Sequence, residues 1–296
     1  MLASPPDMKP SESVFADVRG LRYHLRCWGD PRSPTLFLLH GWMDVSASFQ
    51  FLIDSLRGDW RVIAPDWRGY GLSQWSRADS YWFPDYLGDL DVLLSRFSPG
   101  EPATVVGHSM GGNVACLYAG ARAERVARLV NLEGFGLCGN DPSQAPERYA
   151  KWLGELAALP RFRDYASFDE LASRLQQGNP RLPRERALFL AQHWGAATPD
   201  GRVALRSDPA HKRVNPVLYR IEEAEACWRR VTAPMLWVEG ADSRSLKSLR
   251  LDAAAYEARK RCFATLVART IPDAGHMLHH DQPERLASVI EEFLLS

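Results

Sequence analysis

The stretch TVVGHSMGGNVACLYAG, residues 104–120, decides the fold. It joins a β-branched apolar run to a helix-like run through GHSMG, residues 107–111. A residue at the tip of so tight a turn is strained, and glycines two positions away on each side let strand and helix approach without Cβ clashes. We therefore expect Ser109 to project above the sheet edge, with the backbone N–H of Met110 directed at the same point.

The rest of the chain alternates between strand and helix patterns. Residues 13–20 and 21–30 are typical of a hairpin with an Arg-Gly turn. Apolar runs predict strands at 35–40, 61–66, 103–108, 125–134, 233–240 and 263–271, and helical spacing occurs at 46–56, 82–97, 244–260 and 283–295. This alternation predicts an α/β fold with a mostly parallel sheet covered by helices on both faces. In such sheets, ligands bind at the carboxyl ends of the strands.

The alternation stops between about residues 136 and 228. This region contains helical patterns joined by Pro/Gly loops and no strand-like run. We interpret 136–228 as a helical cap inserted into an α/β core formed by 13–135 and 229–296, with 1–12 as a disordered tail.

Composition gives no support for several kinds of partner. Lys plus Arg and Asp plus Glu number 36 each, which gives no reason to expect nucleic acid or an anionic membrane as a partner. The five cysteines form no C-x-x-C pair, a pattern that favours reduced thiols in a cytoplasmic protein over disulfides or zinc. We expect no signal peptide and no transmembrane span. The expected partner is a small-molecule substrate, and the oligomeric state stays open.

Four segments resemble the α/β-hydrolase fold family: LLHGWMD at 38–44, APDWRGYGLS at 64–73, VVGHSMGG at 105–112 and IPDAGHMLHHDQPERLA at 271–287. The resemblance covers about residues 13–296. It implies an eight-stranded, mostly parallel sheet with a cap, in the serine hydrolase branch, with Ser109 as nucleophile and no metal or cofactor. The dehalogenase and epoxide hydrolase branches are excluded because they use an aspartate where this chain has Ser109.

The resemblance also implies an oxyanion hole and part of a pocket. The donors would be the backbone N–H groups of Trp42 and Met110. His40, Gly41, Trp42 and Phe135 are expected to line the substrate pocket. In the DWRGYGLS segment we expect a turn held by Asp66 and Arg68.

A serine hydroxyl needs a base, and the resemblance implies His276, which follows the last predicted strand. The neighbouring His279 and His280 are expected at the surface or the pocket rim. His40 and His108 are expected to make structural hydrogen bonds.

The acid that would orient His276 has two candidates. The family most often places it three residues after a glycine, but Ser243 occupies that position here and Asp242 stands one residue early. A second family position, after the strand that follows the nucleophile helix, holds Glu133. Either carboxylate could hold the imidazole tautomer, and both are expected near His276.

A serine nucleophile with a histidine base predicts acyl chemistry. We expect hydrolysis of an ester, thioester or amide of a small to medium apolar acyl substrate through an acyl-enzyme. The alternatives are a C–C bond hydrolase, an aminopeptidase with an acidic anchor such as EEAE at 222–225, and a ligand-binding receptor of the same fold. The basic residues of 208–220 either solubilise the cap or bind a carboxylate or phosphate.

Overall fold

The computed structural model describes residues 8–158 and 160–296, so most of the expected tail, residues 1–7, lies outside the described residues. The strands are β1 Ser11–Val18, β2 Leu21–Trp28, β3 Thr35–Leu39, β4 Arg61–Pro65, β5 Ala103–His108, β6 Val126–Leu132, β7 Gly195–Ala197, β8 Val203–Leu205, β9 Met235–Gly240 and β10 Leu266–Ile271. The helices are α1 Gln50–Ser55, α2 Phe83–Phe97, α3 Met110–Ala121, α4 Ala145–Ala157, α5 Phe168–Gly178, α6 Arg184–Trp194, α7 Ile221–Trp228, α8 Ser245–Ser248, α9 Ala253–Lys260, α10 Leu278–Asp281 and α11 Pro283–Leu295.

Eight strands form one sheet in the order β1-β2-β4-β3-β5-β6-β9-β10. Strand β2 is antiparallel to both of its neighbours, and every other neighbouring pair is parallel. The predicted α/β fold with a mostly parallel, eight-stranded sheet is confirmed. The carboxyl ends of β5, β6, β9 and β10 therefore share one edge, where the predicted site lies.

Both faces of the central strands are buried, which explains their unbroken apolar runs. Phe37 and Val105 face a hydrophobic cluster formed with α2 and α3. Leu38 and Val106 face a second cluster, formed with α1 and α11. Each fully buried side chain of this size contributes about 1.5–3 kcal/mol, so the central strands give the functional loops a rigid base.

The region 136–228 contains α4, α5, α6 and α7 as predicted, but it also contains a small antiparallel hairpin of β7 and β8. The expectation of no strand there was wrong. The signal was the turn TPDG at 198–201, where Gly201 has φ +79° and the N–H of Thr198 donates to the carbonyl of Arg202. The helices α5 and α6 share a separate hydrophobic cluster that includes Phe51 of the core.

Two other boundaries differ from prediction. The single helix expected over 244–260 is divided into α8 and α9, because Asp252 caps a new helix by accepting from the N–H of Ala255. Strand β1 begins at Ser11, so residues 11 and 12 belong to the hairpin and not to a tail.

Within 8–158 and 160–296, every helix is too short or too polar to cross a membrane. The five cysteines are free thiols, of which Cys116 and Cys262 are buried and Cys138 is exposed.

Candidate active site

Ser109 stands at the turn between β5 and α3 in a strained conformation, with φ 52° and ψ −114°. The flanking glycines explain how the turn closes. A Cβ on Gly107 would lie 2.4 Å from the carbonyl oxygen of Gly111, and a Cβ on Gly111 would lie 2.1 Å from that of Leu39. Both distances are far below any real contact, so only glycine fits at either position.

The Ser109 hydroxyl begins a chain of hydrogen bonds. Its Oγ lies 3.0 Å from Nε2 of His276, and Nδ1 of His276 lies 3.0 Å from Oε2 of Glu133. A proton on Nδ1 satisfies the carboxylate and leaves Nε2 free to accept from the serine. His276 follows β10 and Glu133 follows β6, so three loops at one sheet edge supply the three side chains.

The Glu133 side chain is completely buried, at 0% exposure, and its charge is met by several donors. Oε1 accepts from the N–H of Gly240 at 2.8 Å, and Oε2 accepts from Oγ of Ser243 at 2.5 Å. Buried carboxylates are stable only when hydrogen-bonded in this way. These donors fix the carboxylate against the histidine.

Asp242, the other predicted acid, lies elsewhere. Its side chain is 50% exposed, and its carboxylate accepts from Nη2 of Arg181 at 2.6 Å. Of the two carboxylates expected near His276, the structure brings only Glu133 into hydrogen-bond distance of the imidazole.

Two serines of the same loop were missed from the sequence. The hydroxyl of Ser245 lies 2.9 Å from Nδ1 of His276, and Ser243 holds Glu133. The available signal was the serine three residues after Gly240, where the family most often has its acid. A serine at that position pointed to an acid supplied by another loop.

The two residues expected to supply the oxyanion donors, Trp42 and Met110, line the same cavity as Ser109. Met110 begins α3, so its N–H belongs to the first turn, where amides have no carbonyl partner within the helix. Gly41 lets the loop after β3 pass close to Ser109. A Cβ at this position would lie only 3.1 Å from Cβ of Ser109. Trp42 is 54% exposed and lines the same cavity as Ser109 and Met110.

A cavity of about 450 Å³ opens at Ser109, within the usual size for a small-molecule site. Its walls combine aromatic side chains with about as many polar and basic ones: Trp42, Tyr81, Trp82, Phe83, Tyr86, Met110, Asn113, Leu137, Cys138, Asn140, Arg148, His211, Arg213, Asn215, Tyr219 and Leu249. A second, more apolar cavity of about 380 Å³ is lined by Trp42 and Met277 among others. Trp42 thus borders two spaces.

The predicted pocket lining was mostly wrong. Trp42 borders the cavity, whereas His40 and Phe135 are buried in the core. His40 accepts from the N–H of Trp67 and bonds through Nδ1 to the carbonyl of Gly41. Phe135 packs against the rings of Trp237 and Tyr256. Gly41 acts through close backbone approach to Ser109 and not as part of the cavity wall.

His279 and His280 are buried and not at the surface, and His280 also lines the second cavity. The His279 ring packs at a tilt against both His280 and His108. Nε2 of His108 donates to the carbonyl of His276 at 2.8 Å and so supports the loop. Burial lowers the pKa of His108 and of His280 well below the usual range, so both are neutral. Burial alone would raise the pKa of Asp44, but the neighbouring His279 imidazole holds it below its usual value.

Asp44, His108 and His279 each bring one donor atom to within 4.8 Å of the others, which makes them a possible metal-binding group among the described residues. The carboxylate of Asp44 and Nε2 of His279 are 3.8 Å apart. The same cluster also serves as internal support for the loop that carries His276.

The expected Asp66–Arg68 turn was wrong. Asp66 pairs with Nδ1 of His24 at 2.7 Å, and Arg68 forms an ion pair with Asp89 at 2.5 Å. Asp66 thus links the loop after β4 to β2, and Arg68 links the same loop to α2. Asp66 also accepts from the N–H of Leu72.

The sheet order and the elbow between β5 and α3 define the protein as an α/β hydrolase by fold. The chain belongs to the alpha/beta hydrolase family, whose family model matches residues 36–289, and it is therefore a hydrolase of that family. It is 26% identical to a serine hydrolase-like protein of Danio rerio, over 95% of this chain and 86% of the relative. It is 30% identical to the 3-hydroxybutyrate-oligomer hydrolase of Cupriavidus necator, over 92% of each. The thioesterase domain from the curacin biosynthetic pathway shares the fold with a TM-score of 0.85, at 24% identity over 97% of this chain and all of that domain.

Proposed function

We propose that the protein is a serine hydrolase that cleaves esters of small to medium apolar acyl groups through an acyl-enzyme. The observation that carries this proposal is the hydrogen-bonded chain from Ser109 through His276 to Glu133, with both links 3.0 Å long, opening into a cavity of about 450 Å³. Such a chain activates a serine hydroxyl that is otherwise a weak nucleophile.

In the first half-reaction, Oγ of Ser109 attacks the ester carbonyl carbon while its proton passes to Nε2 of His276. The tetrahedral intermediate then collapses. The C–O bond to the alcohol breaks, the alcohol takes the proton from His276, and the acyl group stays on Ser109. Water repeats the sequence: it gives a proton to His276, attacks the acyl carbon, and releases the acid as Ser109 recovers its proton.

The negative oxygen of each intermediate would be held by the backbone N–H groups of Trp42 and Met110. Removing one such donor typically costs about 10²–10³ in rate. Glu133 would hold the Nδ1–H tautomer of His276 and stabilise the imidazolium.

Cavity shape and the relatives support an ester as substrate. An ester has an acyl side and an alcohol side, and Trp42 borders two cavities that can take one each. Oligomers of a hydroxy acid such as 3-hydroxybutyrate are joined by ester bonds, and a hydrolase named for them is 30% identical to this chain.

The aminopeptidase alternative lacks its anchor. None of the described residues that line the Ser109 cavity is a carboxylate, so a substrate ammonium would have no partner there. Glu225 of the EEAE segment forms an ion pair with Arg229 at 2.7 Å on α7. The cytoplasmic location expected from the cysteine pattern stays part of the proposal.

The test combines covalent labelling with turnover. A fluorophosphonate probe should label the wild type and the Ser143→Ala control, whose serine is exposed on the surface, but not Ser109→Ala. 4-Nitrophenyl butyrate should be hydrolysed by the same two proteins only. Ligand binding without labelling or turnover would instead support the receptor alternative, and turnover that survives in Ser109→Ala would refute the proposal.

A further inference from the structure

Positively charged side chains border the cavity at Ser109. Two guanidinium groups, those of Arg148 and Arg213, border it, and its described lining contains no aspartate or glutamate. His211 also lines the cavity, but burial lowers its pKa to about 3, so it is neutral near pH 7. The net charge of the wall is therefore cationic.

Arg213 is the more unusual of the two. Its side chain is only 8% exposed, and its Nε is buried without a hydrogen-bond partner among the described residues. Nη1 donates to the carbonyl of Asp79 at 2.9 Å and lies 3.6 Å from the carboxylate of the same residue. That carboxylate is 71% exposed, so water weakens the pair. A buried guanidinium with an unused donor is suited to an anion that arrives with the substrate.

Arg148 is held in place by neutral groups. Nη1 donates to the carbonyl of Asn215 at 3.0 Å, and Nη2 donates to Oδ1 of Asn140 at 3.1 Å. Both asparagines also line the cavity. These contacts orient the guanidinium without neutralising it.

We propose that Arg148 and Arg213 form an anion subsite, and that the preferred substrate is an ester carrying a carboxylate remote from the scissile bond. This inference rests on the proposed function for the ester reaction, but the subsite itself is a property of the cavity. A guanidinium pairs with a planar carboxylate through two parallel hydrogen bonds, which selects an acid over a neutral group of the same size. The aromatic walls would hold the methylene chain between the two ends.

Binding to the Ser109→Ala variant tests the subsite without any reaction. The probes are monomethyl adipate, which has one carboxylate, and dimethyl adipate, its neutral counterpart, followed by tryptophan fluorescence because Trp42 and Trp82 line the cavity. We expect Arg213→Met to weaken monomethyl adipate binding about tenfold or more, and Arg213→Lys to weaken it less. Dimethyl adipate should bind equally to Ser109→Ala and to the two proteins that carry Arg213→Met or Arg213→Lys in addition. The Arg220→Met variant, whose arginine lies 3.9 Å from Glu222 outside the cavity lining, is the matched control.

Turnover provides the second measurement. The wild type should have a higher kcat/KM for 4-nitrophenyl hydrogen adipate than for its methyl ester. Arg148→Met and Arg213→Met should remove this preference by raising the KM for the acid, with little change in its kcat. If Arg213→Met weakened both probes equally, or if Ser109→Ala bound the neutral diester as tightly as the acid, the subsite would be refuted. Selective acid binding with no turnover of either ester would instead refute the ester function and leave the subsite standing.

Discussion

Replacing Glu133 by glutamine, with Asp242→Asn as the matched control, separates the two predicted acids. In the structure, Nδ1 of His276 faces Oε2 of Glu133 at 3.0 Å, while Asp242 faces Arg181. A glutamine amide would keep an acceptor for the N–H of Gly240 but would place an NH₂ donor near Nδ1. The imidazole would then favour the tautomer with its proton on Nε2, which cannot accept from Ser109.

The structure also limits the size of the effect. Replacing a triad acid by its amide costs about 10⁴ in kcat when nothing else holds the tautomer. Here Oγ of Ser245 lies 2.9 Å from Nδ1 and can still accept from it. We therefore expect kcat to fall by about 10²–10⁴, which is about 3–5 kcal/mol of transition-state stabilisation. Asp242→Asn should stay within about threefold of wild type, because an exposed ion pair contributes about 0–1 kcal/mol.

The assay is kcat and KM for 4-nitrophenyl butyrate, with thermal unfolding measured in parallel because Glu133 also bonds to Gly240 and Ser243. The loss should appear in kcat while a folded Glu133→Gln protein persists. A loss below tenfold for Glu133→Gln, or an equal loss for Asp242→Asn, would refute the assignment of the acid.

Three other predictions concern the elbow, the acid position and pH. Gly111→Ala should destabilise the fold and abolish activity, because the new Cβ would lie 2.1 Å from the carbonyl oxygen of Leu39. The control is Gly154→Ala, whose new Cβ would have no atom within 4 Å, and it should leave stability in urea unfolding unchanged or raise it. Adding Ser243→Asp to Glu133→Ala should restore part of the lost kcat; no recovery in a folded double variant would contradict the view that the two positions are interchangeable. Burial lowers the pKa of His211 from 6.5 to about 3, so the unfolded state takes up a proton below pH 6.5 that the folded state does not. The unfolding free energy should therefore fall as pH drops from 7.5 to 5, and His211→Asn should reduce that fall by about 2 kcal/mol.

Local signals predicted the sheet and its elbow well. The strands β3, β4 and β5 start and end within a residue of prediction, because each is an unbroken apolar run that only a doubly covered strand can bury. The Arg19-Gly20 turn was also predictable, and both residues have positive φ.

Features that depend on contacts distant in sequence were harder to predict. The small hairpin β7–β8 has strands of three residues each, too short for a periodic signal. His279 and His280 have the composition of a surface segment, but α10 turns them into the core, where His280 bonds to Ser48. Phe135 was expected to line the pocket, yet it packs against Tyr256 and Trp237.

The choice of acid shows why the sequence alone left two answers. Strands β6 and β9 are parallel neighbours with Leu132 opposite Val238, and the N–H of Glu133 donates to the carbonyl of Val238. The residue after β6 and the loop after β9 therefore approach the same imidazole from adjacent strands. A carboxylate that follows either strand can bond to Nδ1 of His276. The loop without the carboxylate can then supply a hydroxyl beside it, as the loop after β9 does here with Ser243. Because the register between neighbouring strands positions these groups, residue spacing along the chain could not distinguish an acid one residue early in one loop from an acid in the next.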